Sequence, residues 1–292
     1  MEKNFGPGSA RNEGFKAASY NRILFIDNDV NITPDLPDIL INALKNNPNA
    51  SVAVPQVFFA NQKNKIQYNG ADSHFLGLMS LRTDLITSAV SQNGISEIGS
   101  LVTACFLVDR GKWGSGKPFD DSFFFNYEDH DFGLRTRIKG DDILSVSSAV
   151  CYHGEGTKEL SHREGGKYSK TRVYCLIRNR WQIILKNYQL KTIFLLFPVF
   201  FMFEIFQLAG VIKKGWFIEW LKALLWIVSN SKQILHKRLI VQRSRRIRDR
   251  EILVGGPLPF FSDLLGNRLE KFGKNLLDLL TGFYWDKIKG FI

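Results

Sequence analysis

The chain has 292 residues, of which 45% are hydrophobic and 23% charged, and it carries a formal net charge of +11. This length allows one substantial hydrophobic core and a second, smaller module. The composition is that of a folded protein and excludes a low-complexity or repeat architecture, and the excess of positive charge suits an anionic partner, whether nucleic acid, anionic lipid or a phosphorylated substrate.

Helices and strands are predicted to alternate along the first half of the chain. In chain order, the patterns predict a short helix after a glycine-rich turn in residues 1–18, a buried parallel strand at Arg22–Ile26, a helix at Leu36–Lys45, a strand at Ser51–Phe59, a buried strand at Leu101–Asp109, a helical turn at Phe132–Lys139 and a strand at Ile143–Val150. This alternation predicts an α/β sandwich whose sheet is largely parallel.

Residues 154–168, with the sequence GEGTKELSHREGGKY, are rich in glycine and charge. We expect a mobile lid that becomes ordered over a bound substrate. An ordinary solvent loop is the alternative.

The character of the chain changes near Lys186, which predicts a first domain at residues 1–187 and a helical region at residues 188–292. Leu190–Ile212 is apolar and long enough to span a bilayer. Pro198, Glu204 and Gln207 disfavour a span, since a central acid costs about 2.5 kcal/mol or more.

Two amphipathic segments follow this apolar stretch. Their apolar positions are Phe217, Trp220, Leu221, Leu224, Leu225 and Val228, then Leu264, Leu265, Leu269, Phe272, Leu276, Leu280 and Phe283. We favour helices that lie in the membrane interface over a true span. Helices that pack on the core of a soluble protein remain an alternative.

The densest basic run is Lys237–Arg250, KRLIVQRSRRIRDR, next to these apolar segments. This neighbourhood favours an anionic membrane surface over nucleic acid, and no zinc-finger or RNA-recognition signature accompanies it. We therefore expect no nucleic-acid partner. A solvated helix face is the alternative.

The three cysteines, Cys105, Cys151 and Cys175, are far apart and lack CxxC spacing. They are predicted to be reduced core residues of a cytosolic protein, with neither zinc nor disulfides. No secretory signal segment is expected at the N-terminus.

Asp27, Asn28 and Asp29 come directly after the predicted strand ending in ILFI. Ligands of open α/β sheets bind at the carboxyl ends of strands. Two carboxylates at i and i+2 can converge there on Mg²⁺ or Mn²⁺, which in turn bridges diphosphate oxygens. An acidic turn that caps a helix is the alternative.

A second acidic cluster lies within residues 119–132, FDDSFFFNYEDHDF, followed by Arg135. Glu128, Asp129 and Asp131 repel one another unless a cation, an arginine or burial compensates. The aromatic neighbours form a partly dry wall that raises a carboxylate pKa towards that of a general base. Alternatively, the three acids only stabilise a helix N-terminus.

His153 ends the strand SSAVCYH, where it can complete a metal shell with Asp27 and Asp29 or be merely structural. Arg178 and Arg180, within RNRW, offer cations for a diphosphate. A basic helix face is the alternative for the two arginines.

The order of these motifs resembles glycosyltransferase family 2, and most closely its rhamnosyltransferase-like branch. The resemblance runs over residues 4–187 through NxGxxxARNxGxxxA, LFIDNDV, the Asp109-Arg110 pair, FDxxFFxxYEDxDFxxR, a strand ending in YH, and RNR. It implies a GT-A fold and an inverting, metal-dependent transfer from a nucleotide-sugar to a glycan or lipid-linked acceptor in cell-surface polysaccharide synthesis, at the cytoplasmic face of the cell membrane.

The resemblance also implies a role for each matched residue. Asp129 matches the catalytic base, with Glu128 beside it as an orienting or acceptor-contacting group. Asp131 and Trp181 are the predicted acceptor-binding residues. The metal ligands would be Asp27, Asp29 and His153, holding Mn²⁺ or Mg²⁺. The donor-binding residues would be Asp27, Asn28, Asp29, Arg11, Arg178 and Arg180.

The chain departs from the family pattern at its start, because it opens at the glycine-rich turn that usually follows two or more strands. Those strands hold the nucleotide base and ribose in the family. We therefore expect a sheet that lacks its first strands, and a truncated, inactive, membrane-associated subunit is the alternative to an active enzyme.

Overall fold

The computed structural model describes residues 4–83, 94–114, 116–154, 168–260 and 265–292. The chain separates into two compact units. Unit 1 comprises Met1–Asp72 and Leu81–Thr157, and unit 2 comprises Ser73–Ser80 and Lys158–Ile292. The expected lid at residues 154–168 lies almost wholly outside the described residues, so it stays a prediction.

Unit 1 alternates helices and strands as predicted. Its elements are α1 (Pro7–Ala17), β1 (Arg22–Ile26), β2 (Val30–Ile32), α2 (Leu36–Asn46), β3 (Ala50–Phe59), β4 (Gln62–Tyr68), β7 (Ile95–Glu97), β8 (Cys105–Asp109), α3 (Arg110–Trp113), α4 (Glu128–Ile138) and β9 (Asp142–His153), while β5 (Ala71–His74) and β6 (Leu78–Leu81) lie at the passages between the two units. Helix α4 begins four residues before the predicted helical turn, so it includes Glu128 and Asp129.

The larger sheet has the strand order β1-β8-β3-β9-β2, with β4 paired to β3 and β7 paired to β9. The α/β class is confirmed, but the sheet is mixed, so the expectation of largely parallel strands is wrong. Among the described residues of this sheet, β3 and β9 form the single parallel pair, because β8 runs antiparallel to both β1 and β3. A run such as CFLVD is apolar at nearly every position because both faces of the strand are buried. Its sequence therefore does not show whether the strand pairs in a parallel or an antiparallel direction.

Apolar side chains fill both faces of this sheet. One face packs on α2, whose Leu36, Leu40 and Leu44 are fully buried. On the other face, Phe106 of β8 packs against Phe119 and Phe132, and the three rings lie 5.1 to 6.1 Å apart. Each Å² of apolar surface buried on either face contributes about 25 cal/mol to the stability of the sheet, and a stable sheet holds its strand ends in place.

Strand β9 carries a bulge where its two halves meet. Pro55 of β3 opposes Val146, but the next residue, Gln56, opposes Val150, so residues 147–149 are extra in β9. Residues before the bulge pair with β7, and residues after it pair with β2. The bulge therefore sets the register of the strand end that carries His153.

Unit 2 is mainly helical. Its elements are α5 (Lys170–Asn187), α6 (Leu190–Lys213), α7 (Phe217–Ser229), α8 (Ser231–Arg243), α9 (Asp249–Ile252), β10 (Leu253–Val254), α10 (Arg268–Ile288) and a closing 3₁₀ turn (Lys289–Phe291). Strand β10 extends a small sheet of order β10-β5-β6. Of the described residues, only α6 forms a helix long and apolar enough to cross a membrane.

The division between the units differs from the predicted boundary at residue 187. Helix α5 belongs to unit 2 because it packs on α7 and α8. Val173 and Ile177 of α5 share a buried apolar cluster with Val211 and Ala223. The apolar periodicity of α5 does not show which helices cover it, so the sequence placed α5 in the first domain.

Candidate functional site

Strand pairing places Asp29 next to His153. Val30 of β2 opposes His153 of β9, and the amide of Gly154 donates a hydrogen bond to the carbonyl of Asp29 over 2.7 Å. His153 Nε2 then lies 3.3 Å from Asp29 Oδ1. A Cβ on Gly154 would lie 3.0 Å from that carbonyl oxygen, so glycine suits this close approach.

Strand β4 fixes the other side of the His153 ring. His153 Nδ1 lies 3.1 Å from Gln67 Oε1 and 3.3 Å from the Tyr68 hydroxyl. Outer-shell partners of this kind fix the tautomer and orientation of a metal-binding histidine. Gln67 and Tyr68 were missed because the polar sequence QKNKIQY gives a weak strand signal; its only local sign was the turn at Ala60 and Asn61 after Phe59.

Arg11 joins the two acidic stretches of the chain. Its Nη2 donates a hydrogen bond to Asp27 Oδ1 over 2.7 Å, and its Nη1 lies 3.7 Å from Glu128 Oε1. The guanidinium also lies over the ring of Phe119, 5.6 Å from its centroid. Asp27 and Glu128 are 101 positions apart in sequence and meet at one cation.

Helix α1 is anchored so that Arg11 reaches this position. The Asn12 side chain accepts from the amide of Phe119 and donates to its carbonyl, each over 2.9 Å, and donates to Asp121 over 2.9 Å. Gly6, at φ 90°, allows the start of the helix to lie against the backbone of Phe124. Asn12 was not among the predicted site residues, because its only signal in the sequence is its place in the ARN motif.

An unusual backbone delivers Glu128 and Asp129 to the site. Asn126 and Tyr127 have φ of 62° and 67°, and they are the only non-glycine residues with positive φ in the described parts of the chain. Two consecutive left-handed residues of this kind are strained, and such strain concentrates at functional sites. The turn starts α4 abruptly, so that the first helical turn begins with Glu128, Asp129 and Asp131.

Burial changes the protonation of this acidic pair. It raises the pKa of Glu128 to about 8, aided by the charge of Asp129, while the Arg11 guanidinium opposes the rise. Burial also raises the pKa of Asp129 to about 6, against a hydrogen bond from the His130 amide to its carboxylate and the charge of Arg11. Asp129 is half-buried, whereas Glu128 is almost fully buried.

His130 supports the same helical turn from behind. Its ring is fully buried, and Nδ1 lies 2.9 Å from the Ser100 hydroxyl. Burial lowers the pKa of His130 to about 3, so the ring is neutral at physiological pH. A neutral, buried histidine anchors α4 without adding charge beside Asp129.

The structure does not support acceptor contact by Asp131. Its side chain has no exposed surface, and Oδ2 accepts from Arg135 Nε over 2.8 Å. Arg135 also donates to the carbonyl of Pro118. This i, i+4 ion pair within α4 gives Asp131 a structural role, so that prediction is corrected.

Family comparison now adds to this geometry. A family model described as "Glycosyltransferase like family 2" matches residues 1–174, more than half of the chain. The chain belongs to this glycosyltransferase family. The family resemblance inferred from the motifs is thereby confirmed. No curated protein matches the sequence.

The family 2 chain also resembles solved structures. One is a crystal structure of GalNAc-T7 with UDP, GalNAc and Mn²⁺, with a TM-score of 0.53 and 12% sequence identity. The match covers 72% of this chain and 39% of that protein, so the chain spans well under half of its length. At this identity the likeness shows the GT-A fold alone, which confirms the predicted fold class.

The predicted metal ligands of this family 2 chain are only partly brought together. Asp29 and His153 form a pair, whereas Asp27 is bound by Arg11. The described residues contain no group of three or more His, Cys, Asp or Glu side chains able to hold an ion. The remaining pair still suits Mn²⁺ or Mg²⁺, which commonly take one or two protein ligands and complete their shell with substrate phosphates and water.

The other predicted donor and acceptor residues lie in different surroundings. Asn28 is exposed in the turn between β1 and β2. Arg178, Arg180 and Trp181 lie on α5 within unit 2. Arg180 is buried, pairs with Glu204 at 2.5 Å and donates to the Leu76 carbonyl. Trp181 packs against Phe200, with 6.1 Å between the ring centroids. Arg178 lies over the rings of Tyr174 and Trp226. Their roles in binding stay predictions.

Proposed function

We propose that this chain transfers a sugar from a nucleoside-diphosphate donor to a hydroxyl group of a glycan, with inversion at the anomeric carbon and dependence on a divalent cation. One observation carries the proposal: Arg11 holds Asp27 and Glu128 together. The acidic turn after β1 and the acidic start of α4 are therefore parts of one site. Membership of glycosyltransferase family 2 supports the reaction class.

Asp129 is the proposed general base. Its raised pKa, about 6, leaves it ionised at neutral pH and basic enough to accept a proton in the transition state. It remains half-buried, so an acceptor hydroxyl can reach it. Glu128, with a pKa of about 8, is largely protonated at neutral pH and orients the pair without a second negative charge.

The proposed reaction is a single displacement. The acceptor oxygen forms its bond to the anomeric carbon as its proton passes to Asp129. The bond from that carbon to the diphosphate oxygen breaks, and its electron pair leaves with the nucleoside diphosphate. Attack from the face opposite the leaving group inverts the configuration, and one carboxylate suffices, whereas a glycoside hydrolase needs two carboxylates that face each other across the bond.

Asp29 and His153 are the proposed protein ligands of Mn²⁺ or Mg²⁺. A bound divalent cation would stabilise negative charge on the leaving diphosphate, which removes the need for a general acid. The protein's own contribution is to fix the His153 ring through Gln67 and Tyr68. The Mn²⁺ and UDP in the GalNAc-T7 crystal structure support this proposal.

The finer identity of the substrates is also part of the proposal. The motif resemblance to the rhamnosyltransferase-like branch supports a rhamnosyl or other hexosyl donor. The positive charge of residues 188–292 supports a lipid-linked glycan acceptor in cell-surface polysaccharide synthesis, at the cytoplasmic face of the cell membrane.

The decisive experiment is a screen of nucleoside-diphosphate sugars for hydrolysis and transfer, with and without Mn²⁺. We expect release of nucleoside diphosphate from one donor class, loss of that release in chelator, and an inverted anomeric configuration in the product. Asp129→Asn should lose transfer while it retains donor binding.

Three results would overturn parts of the proposal. Full activity in chelator would overturn the metal role, and a retained configuration would overturn single displacement. Failure of every nucleoside-diphosphate sugar to bind would favour the inactive-subunit alternative.

A further inference from the structure

Helix α6 has two different faces along its whole length. One face is buried in unit 2 at Thr192, Leu196, Val199, Phe200 and Phe203. The opposite face exposes large apolar side chains to solvent: Leu190, Phe194, Phe197, Phe201, Ile205 and Ile212, each more than half exposed. Spacings of three and four residues place these side chains in one stripe.

The buried face of α6 is tied to charged residues of α5. Glu204 accepts from Arg180 over 2.5 Å, and the Arg180 guanidinium lies 4.2 Å from the centroid of the Phe203 ring. A spanning α6 would carry α5, with its buried Arg172, Arg178, Arg180 and Lys186, into the hydrocarbon. Charged side chains at that depth are costly, so α6 does not fit a span.

Two helices that contact α6 repeat its pattern. On α7 the exposed apolar residues are Phe217, Ile218, Leu221, Leu225 and Val228. On α10 they are Leu269, Phe272, Leu276, Leu279, Leu280 and Phe283. We refer to the stripes of α6, α7 and α10 together as the apolar surface. Soluble monomers rarely expose contiguous apolar patches beyond a few hundred Å², so a surface of this kind marks an interaction site.

The positive charge of unit 2 indicates that the partner of the apolar surface is anionic. Residues 188–292 hold 17 Lys and Arg against eight Asp and Glu, which is +9 of the chain's +11. Glu204 is in an internal ion pair with Arg180 of α5, which lies outside this range, so it offsets little of the surface charge. Exposed lysines occur on or beside all three helices, at Lys191, Lys214, Lys222, Lys271 and Lys287.

We propose that the apolar surface docks on an anionic phospholipid bilayer, with α6, α7 and α10 lying in the plane of the headgroups rather than across the membrane. Aromatic and aliphatic side chains enter the acyl boundary, and the lysines contact anionic headgroups. This inference concerns unit 2 and does not depend on transferase activity, so its test measures lipid binding alone.

The test is flotation of the full chain with vesicles of phosphatidylcholine alone and of phosphatidylcholine with phosphatidylglycerol. We expect stronger binding to the anionic vesicles, and weaker binding at high salt. The variant Phe197→Ser/Phe201→Ser/Phe272→Ser removes three exposed rings and should lose binding to both vesicle types. Tyr20→Ser, at a residue that is 81% exposed in unit 1, is the matched control and should bind as the parent does.

A second variant tests the charge contribution separately. Arg246 and Arg250 are exposed in the basic run. Arg246→Glu/Arg250→Glu should weaken binding to anionic vesicles by about tenfold or more, with binding to neutral vesicles unchanged.

Three outcomes would overturn the inference. The first is no binding of the parent chain to either vesicle type. The second is resistance of the membrane-bound chain to alkaline carbonate extraction, which would show that α6 spans the bilayer. The third is a dimer in sedimentation that the triple serine variant dissociates without any lipid binding, which would make the apolar surface an interface between two copies.

Discussion

Arg11 lies on helix α1, which precedes β1, and its guanidinium is 2.7 Å from the carboxylate of Asp27. The same group faces Glu128, whose side chain is almost fully buried. Among the described residues, Arg11 Nη1 and Glu128 Oε2 make no hydrogen bond. Two orphaned polar atoms on either side of one ion pair mark the space between the two acidic stretches as a place for a polar ligand.

Loss of Arg11 should destabilise the fold as well as the site. Arg11→Met keeps much of the apolar stem but leaves Asp27 and Glu128 without their shared cation. We expect the free energy of unfolding to fall by about 1–3 kcal/mol, because Asp27 is one-third exposed and partly screened. Urea unfolding measures this change. Arg22→Met, which breaks a longer, exposed ion pair at 3.9 Å, should change it by less than about 0.5 kcal/mol.

The contribution of Glu128 to stability should fall as the pH rises in the metal-free chain. The pKa of Glu128 is about 8 in the folded chain and 4.5 in the unfolded chain. The folded state therefore binds more protons than the unfolded state between pH 4.5 and about pH 8. The part of the free energy of unfolding that comes from Glu128 therefore decreases from about pH 4.5 to about pH 8, and the difference between the parent and Glu128→Gln isolates it. Glu128→Gln removes the buried charge and should exceed the parent's stability above pH 8 by on the order of 2 kcal/mol, with little difference at pH 4.

Thermal unfolding at several pH values in chelator measures this dependence. Glu13→Gln, at an exposed acid of α1, is the control and should parallel the parent at every pH. A Glu128→Gln variant that also parallels the parent would mean that Glu128 is not a buried acid.

Asp129→Asn should reduce transfer by roughly 10²–10⁴-fold, because amide nitrogen accepts no proton. Donor affinity should change little, since the proposed contacts of the diphosphate lie elsewhere. In the parent, kcat/KM should rise with pH through an acid limb near pH 6 as Asp129 ionises. Steady-state kinetics with donor-binding calorimetry measure both quantities, and Asp38→Asn, at an exposed acid of α2, serves as control.

Tyr68→Phe should weaken Mn²⁺ binding without unfolding the sheet. The hydroxyl lies 3.3 Å from His153 Nδ1, so its loss removes a contact that helps to orient the ring facing Asp29, while the contact with Gln67 Oε1 remains. Outer-shell changes of this kind typically cost about 10–100-fold in metal affinity. Electron paramagnetic resonance of free Mn²⁺ measures the affinity, and Tyr20→Phe at an exposed site should leave it unchanged. Equal affinity in both variants would argue against Tyr68 as an outer-shell partner of His153.

Two glycines of the α1 region should respond in opposite ways to alanine. A Cβ at Gly6 would overlap the carbonyl oxygen of Phe124, and φ is 90° there, so Gly6→Ala should lower stability by about 1–3 kcal/mol and reduce transfer by displacing Arg11. At Gly14 a Cβ meets nothing within 4 Å, and the residue is helical, so Gly14→Ala should raise stability by about 0.5–1 kcal/mol. Chemical denaturation of both variants checks this contrast.

The sequence predicted the strand ends that carry Asp27, Asp29 and His153, since apolar runs ended by polar residues mark strands and their edges. The structure brings the acidic stretches near residues 28 and 129 together at Arg11. The bridging position of Arg11 and the anchor at Asn12 depend on contacts across more than a hundred residues. Local pattern does not carry such contacts.

The pairing of β8, the strand β4 and the burial of Asp131 leave no signal in the local sequence pattern. Strand β8 reads the same whether parallel or antiparallel, so its insertion between β1 and β3 was missed. Strand β4 is polar and half-exposed, so it gave no hydrophobic signal. In the sequence, Asp131 looks like its neighbours Glu128 and Asp129. In the structure, however, Asp131 is buried in an ion pair with Arg135, whereas solvent reaches the carboxylate of Asp129.

The three extra residues in β9, at positions 147–149, constrain how the length of this chain can vary. Side chains alternate across a strand, so deleting one of these residues would rotate everything beyond it by one position. His153 would then point to the opposite face of the sheet, away from Asp29, although both residues would still be present in the chain. Libraries that vary chain length here should therefore retain function only when residues are added or removed in pairs.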